Sequence, residues 1–154
     1  MASRAELVQR LQTDVAATVA DGVQLQQAIA DHLGLSASEL RAITFLMRKG
    51  NASAGELSDA ADLTTGAGTR MIDRLEIAGW VVRHPDPSDR RKVLVVLKKV
   101  RRMEVGELYA GMSSSWMAAL SDKSDADLLS VLELFDRMRE VARTNTAELR
   151  GEVS

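Results

Sequence analysis

Apolar residues recur every three to four positions along most of the chain, a period that predicts helices. Leu7, Leu11, Val15, Val19 and Val23 form one stripe, and Ile29 and Leu33 resume it after the polar pair Gln26 and Gln27. A first helix is therefore expected over roughly residues 4–32. At ~1.5 Å per residue it would be about 40 Å long, and a helix of that length usually needs more than its own domain to cover it. Gly34 ends it. Ser36-Ala-Ser-Glu39 has the capping-box pattern and opens a second helix to about Lys49, with Leu40, Ile43, Leu46 and Met47 on its apolar face and Gly50-Asn51 closing it. Ser53-Ala-Gly-Glu56 is a second capping box, opening a short helix through Ala60 or Ala61. Thr64 or Thr65 caps the next helix, which ends at Gly79. Two short helices across a tight connection have helix-turn-helix spacing.

The period then changes. Val81 to His84 and Lys92 to Leu97 are short β-branched runs, and the turn formers Pro85, Asp86, Pro87, Ser88 and Asp89 lie between them. They predict a hairpin with a protruding tip. A fifth helix is expected from about Lys99 to Leu120, with Val105, Leu108, Met112, Trp116 and Leu120 as its stripe. Gly106 and Gly111 weaken it by roughly 1 kcal/mol each relative to alanine. Ser124-Asp125-Ala126-Asp127 marks the start of a last helix striped by Leu128, Leu132, Phe135, Met138 and Val141 or Ala142, with a frayed tail after Thr146. The fold class is mainly α with a small β-hairpin wing. A winged helix-turn-helix region (35–98) is flanked by long N- and C-terminal helical regions (1–34 and 99–154), all in one structural domain.

Composition narrows the chemistry. Of 154 residues, 45% are apolar and 27% charged, which suits a globular chain with a real core. Phe45, Trp80, Tyr109, Trp116 and Phe135 are the only aromatics, so the core must be largely aliphatic. The absence of cysteine removes disulfides, thiolate metal sites and cysteine nucleophiles. His32 and His84 stand apart from any acidic cluster, so neither a metal nor another cofactor is expected. No apolar run approaches the ~18 residues of a membrane span, and the N-terminus lacks the form of a signal peptide. A cytoplasmic location is the expectation.

Charge is segregated. Between Arg83 and Arg102 there are eight basic residues against Asp86 and Asp89, a surplus of six on a chain of net charge −2, so the rest carries −8. Such a local positive field on an acidic body suits contact with double-stranded DNA. At the start of the second helix of the helix-turn-helix, the expected recognition helix, Thr64, Thr65 and Thr69 offer hydroxyls, while Gly66, Ala67 and Gly68 leave little side chain and allow close backbone approach to phosphate. Arg70 is the long donor placed to reach a guanine edge. Arg74, one turn on, suits a phosphate or an intramolecular partner. In the wing, Arg90 and Arg91, followed by Lys92, are positioned for a minor groove, with Asp86 and Asp89 bracing them. Ser36 and Ser53 are caps first and phosphate contacts second. The run Lys98-Lys99-Val100-Arg101 lacks an obvious N-cap and sets cations at the positive end of a helix dipole, so it reads as a further phosphate-binding cluster.

These residues resemble the MarR family of winged-helix transcription regulators. The resemblance rests on Gly34-Leu35-Ser36, Glu56-Leu57-Ser58, Thr69-Arg70-Met71-Ile72-Asp73-Arg74-Leu75-Glu76, Gly79-Trp80-Val81 and, most specifically, the wing Asp86-Pro87-Ser88-Asp89-Arg90-Arg91. It implies a homodimer built from the terminal helices, a pseudo-palindromic operator and, often, a small aromatic or lipophilic effector that releases DNA. Met71, Met103, Met112, Met117, Met138, Tyr109 and Trp116 are candidate pocket residues, though core packing suits them as well. The chain departs from the family at Lys98-Lys99-Val100-Arg101, where a Thr-Pro-x-Gly start is usual, and at Gly66 and Gly68, where bulkier polar residues are common. The leading expectation is a ligand-responsive, dimeric repressor. The alternative is a winged-helix protein-interaction module without DNA binding. No nucleophile–base pair or phosphate-binding glycine loop suggests an enzyme.

Overall fold

The computed structural model describes residues 2–89 and 92–151. The elements run α1 (Arg4–Leu33), α2 (Ala37–Lys49), β1 (Asn51–Ser53), α3 (Ala54–Ala60), α4 (Thr65–Ile77), β2 (Val81–Pro85), β3 (Val93–Leu97), α5 (Lys99–Ala119) and α6 (Asp125–Leu149). The chain divides into two compact units, Met1–Val105 and Gly106–Ser154.

Local chemistry sets most of these boundaries. Capping boxes start α1 at Ser3, α2 at Ser36, α3 at Ser53 and α6 at Ser124, each with a carboxylate three residues on returning the bond. Three helices close by a left-handed residue that lets a 6→1 hydrogen bond form. The Leu35 N–H reaches the Ala30 carbonyl past Gly34 (φ 67°), and the Trp80 N–H reaches Leu75 past Gly79 (φ 75°). In the helix-turn-helix turn the same role falls to Asp62 (φ 56°), letting the Leu63 N–H reach Ser58. Aspartate tolerates that conformation better than most non-glycine residues.

The sheet has three strands in the order β1-β3-β2, all antiparallel, where the sequence predicts two. Asn51, expected to close α2, instead pairs with Val96, and Ser53 pairs with Leu94. Gly50 alone is the C-cap of α2. Three residues are too few to show a period, and Ser53 is already spoken for as a cap. In the wing, Val81 lies opposite Leu97 and Pro85 opposite Val93. The recognition helix stops at Ile77, two residues short of expectation, because Gly79 turns the chain into β2. At the C-terminus, α6 continues through Leu149, beyond the predicted fraying point.

The core of the first unit gathers Leu40, Ile43 and Leu46 of α2, Leu57 of α3, Met71, Ile72 and Leu75 of α4, and Trp80, Val81, Val95 and Leu97 around the sheet. Each such side chain contributes ~1.5–3 kcal/mol when withdrawn from water. Only Ile29 and Ala30 of α1 are buried, while Leu7, Leu11, Val19 and Val23 are exposed. Within the second unit no described residue of α6 is buried, and Leu132 and Phe135 of its stripe are exposed. No described helix is long and apolar enough to cross a membrane.

Candidate nucleic-acid interface

The N-terminal turn of α4 is open to solvent. Thr64 is its N-cap, with the Ala67 N–H donating to its hydroxyl at 3.4 Å. Thr65 is the first helical residue, and the Thr69 hydroxyl donates to its carbonyl at 3.0 Å. Thr64, Thr65, Gly66, Thr69 and Arg70 are exposed, and Ala67 is half-buried. No side chain stands over Gly66, so its backbone is accessible. Arg70 extends from the same turn, and nothing among the described residues holds its guanidinium. Gly68 differs from expectation. It is buried, and a Cβ there would lie 1.9 Å from Ser58 Oγ and 3.1 Å from Ser58 Cα, so this glycine serves the approach of α3 to α4.

Arg74 takes the intramolecular alternative. Its Nε lies 3.2 Å from Glu39, the carboxylate of the α2 capping box, and so ties α4 to the start of α2. Burial pushes the Glu39 carboxyl up, but the N–H and hydroxyl of Ser36, and then Arg74, outweigh it and hold the group below its ordinary value. The hydroxyls of Ser36 and Ser53 accept from Glu39 and Glu56 at 3.2 Å and 3.3 Å, as caps should. Lys49 pairs with Glu56, joining the end of α2 to the start of α3. Lys49, followed by the Ser53 N–H and hydroxyl, lowers the Glu56 carboxyl to about 2. A folded-state value below the unfolded one gives stability that is present above the unfolded carboxylate range and lost as pH falls toward about 2. Glu56→Gln should therefore flatten the acid branch of the stability–pH curve, read from urea midpoints, and leave the alkaline branch unchanged.

The wing is tied back to the recognition helix. Arg83 of β2 pairs with Asp73 at 2.6 Å and with Glu76, both on α4, and its N–H also donates to Glu76 at 3.3 Å. The loop folds on itself. Asp86 accepts from the N–H and hydroxyl of Ser88, both at 2.7 Å, and its N–H donates to the Lys92 carbonyl at 2.9 Å. Ser88, with a smaller contribution from the Lys92 charge, holds the Asp86 carboxyl below its ordinary value. The Lys92 N–H closes the loop on Asp89 at 2.8 Å. Lys92 is exposed, while Arg90 and Arg91, and with them their bracing by Asp86 and Asp89, lie outside the described residues.

The basic run after the wing is not a uniform phosphate surface. Arg101 pairs with Glu104 at 2.7 Å, and its guanidinium lies 4.5 Å from the centre of the Trp80 ring. Arg102 donates to the carbonyls of Leu46, Met47 and Gly50 at 3.2, 3.3 and 3.5 Å. Sequence reasoning missed Arg83 and Arg102 as structural ties. Asp73 and Glu76, three apart on one helix face, were a signal for the first, whereas the partners of the second are backbone atoms and leave no mark in the sequence.

A profile of the MarR family matches residues 35–93. The HTH-type transcriptional regulator YcgE of Bacillus subtilis is 30% identical over 128 residues, covering 83% of each chain. The chain belongs to the MarR family. The MarR multiple antibiotic resistance protein of Escherichia coli is 52% identical over 42 residues, 27% of this chain and 29% of that one. A MarR family protein from Bacillus stearothermophilus superimposes with TM-score 0.69 at 20% identity, covering 92% of this chain and 99% of that chain. A MarR-like regulator from Thermotoga maritima does so with TM-score 0.64 at 27% identity over 85% of this chain and 96% of that one. This MarR-family chain is a DNA-binding transcription regulator.

Proposed function

We propose that this regulator is a repressor that binds a pseudo-palindromic operator as a homodimer in the cytoplasm and releases it on binding a small aromatic or lipophilic effector. The observation that carries the DNA-reading part is the open first turn of α4, where Arg70, without a partner among the described residues, stands among exposed threonines and a wing with basic Lys92 is held to the same helix through Arg83. Thr64, Thr65, Gly66, Ala67 and Thr69 would meet phosphate, Arg70 a base edge, and Arg90 and Arg91 the minor groove. The exposed apolar stripes of α1 and α6, in regions 1–34 and 99–154, support self-association.

An effector has a candidate place. A cavity of about 510 Å³ between α1 and α2 is lined by Val19, Val23 and Leu40, with Gln26, Gln27 and Arg41 as its polar groups. That volume suits a small ligand. None of the methionines or aromatics considered from sequence lines it, and Met71 is a core residue.

Binding to the DNA upstream of the regulator's own gene should weaken linearly in log K against log[salt], because phosphate contacts release counterions. Arg90→Glu combined with Arg91→Glu should remove most of that affinity. A salt-independent interaction, or full function after the double charge reversal, would favour the protein-interaction alternative.

A further inference from the structure

Two arginines at the start of a helix should oppose its dipole. In this chain both are held by partners, Arg101 by Glu104 and the Trp80 ring and Arg102 by another helix. Arg102 places its guanidinium at the carboxyl end of α2, where the dipole is negative; of its acceptors, Leu46 already receives the Gly50 N–H and takes the arginine as a second donor. Its three acceptors are Leu46, Met47 and Gly50, more than fifty residues away in sequence. Arg101 lies on the buried Trp80 ring, the Lys98 N–H donates to the Trp80 carbonyl at 2.9 Å, and Val105 is fully buried one turn on. The first turn of α5 is thus fastened to the helix-turn-helix at one side and to the wing at the other, within the first unit.

We infer that Arg102 is a positioning residue for operator binding, clamping the first turn of α5 to the end of α2 so that the two DNA-reading lobes of a dimer are held at the spacing of paired half-sites. The inference rests on the homodimer reading. It assigns to Arg102 a role in matching two half-sites and none in contacting either one.

The test uses the full chain and a duplex selected from random sequence by the wild-type protein, in paired form and cut to a single half-site. Wild type should sediment as a dimer and prefer the paired duplex; failure of either overturns the dimer reading irrespective of Arg102. Arg102→Gln should keep single half-site affinity within about twofold and retain the salt slope, yet lose about tenfold or more on the paired duplex, since the advantage of a second site depends on geometry. It should also tolerate insertion of one or two base pairs between half-sites better than wild type. Arg102→Lys should fall between them, because one ammonium cannot span the three carbonyls as the guanidinium does. Equal losses on both duplexes with a salt slope lower by about one unit would make Arg102 a phosphate contact and overturn the inference. Equal losses that track a lowered melting temperature, or no loss on either duplex, would overturn it as well.

Discussion

Gly68→Ala is expected to lose ~1–3 kcal/mol of folding stability, toward the upper end, because no rotamer change can relieve the overlap. The new methyl would meet Ser58 at Oγ (1.9 Å), Cβ (2.7 Å) and Cα (3.1 Å). Ser58 cannot swing clear, since its hydroxyl donates to the Ala54 carbonyl at 2.8 Å and the residue is buried. The helices must part, and α4 is the helix that reads DNA. The variant should therefore lose affinity for all sequences alike, with unchanged sequence preference. Urea denaturation gives the first quantity and DNA titration the second. Adding Ser58→Gly removes the Oγ and Cβ clashes, so the double variant should recover most of the lost stability, a positive coupling between two touching sites. Gly68→Ala with a wild-type urea midpoint would show that α3 and α4 do not pack this closely.

Arg70→Ala should leave stability unchanged, because nothing among the described residues depends on its guanidinium. Its expected effect is on recognition. A bidentate contact to a guanine edge is worth ~1–3 kcal/mol of discrimination, so binding should fall by that amount on the preferred operator and much less on a sequence altered at the contacted pair. Lys92→Ala supplies the contrast, with a loss of similar size on every sequence and a salt slope lower by about one. If Arg70→Ala weakened all duplexes equally, α4 would touch DNA at this residue only through phosphate.

How far the chain can be read from its sequence depends on whether the interaction is local. Ser36, Ser53 and Ser124 act within three residues of themselves, and their helices start where the capping pattern places them. The wing strands show themselves by β-branched runs and turn formers. By contrast β1 is invisible, because Asn51-Ala52-Ser53 carries no period and becomes a strand only through its partner at Leu94 to Val96. Gly68 is misread for a related reason. A glycine near a helix start looks the same whether ligand or protein fills the space above it, and only the fold supplies Ser58. Arg102 extends the point, since an arginine that caps another helix has the same local sequence signature as one that awaits a phosphate.

The short strand β1 also bears on how the lobe folds. Its pairing with β3 joins residue 51 to residue 96, with α3, α4 and β2 in the intervening loop. That closure is entropically costly and is repaid only when the enclosed elements have packed. No fragment ending before β3 completes the sheet, and β3 is also the strand on which the hairpin depends. The reading helix and the wing should consequently order and melt as one cooperative unit. A nascent chain would acquire a DNA-reading surface in a single step rather than present a bare recognition helix first.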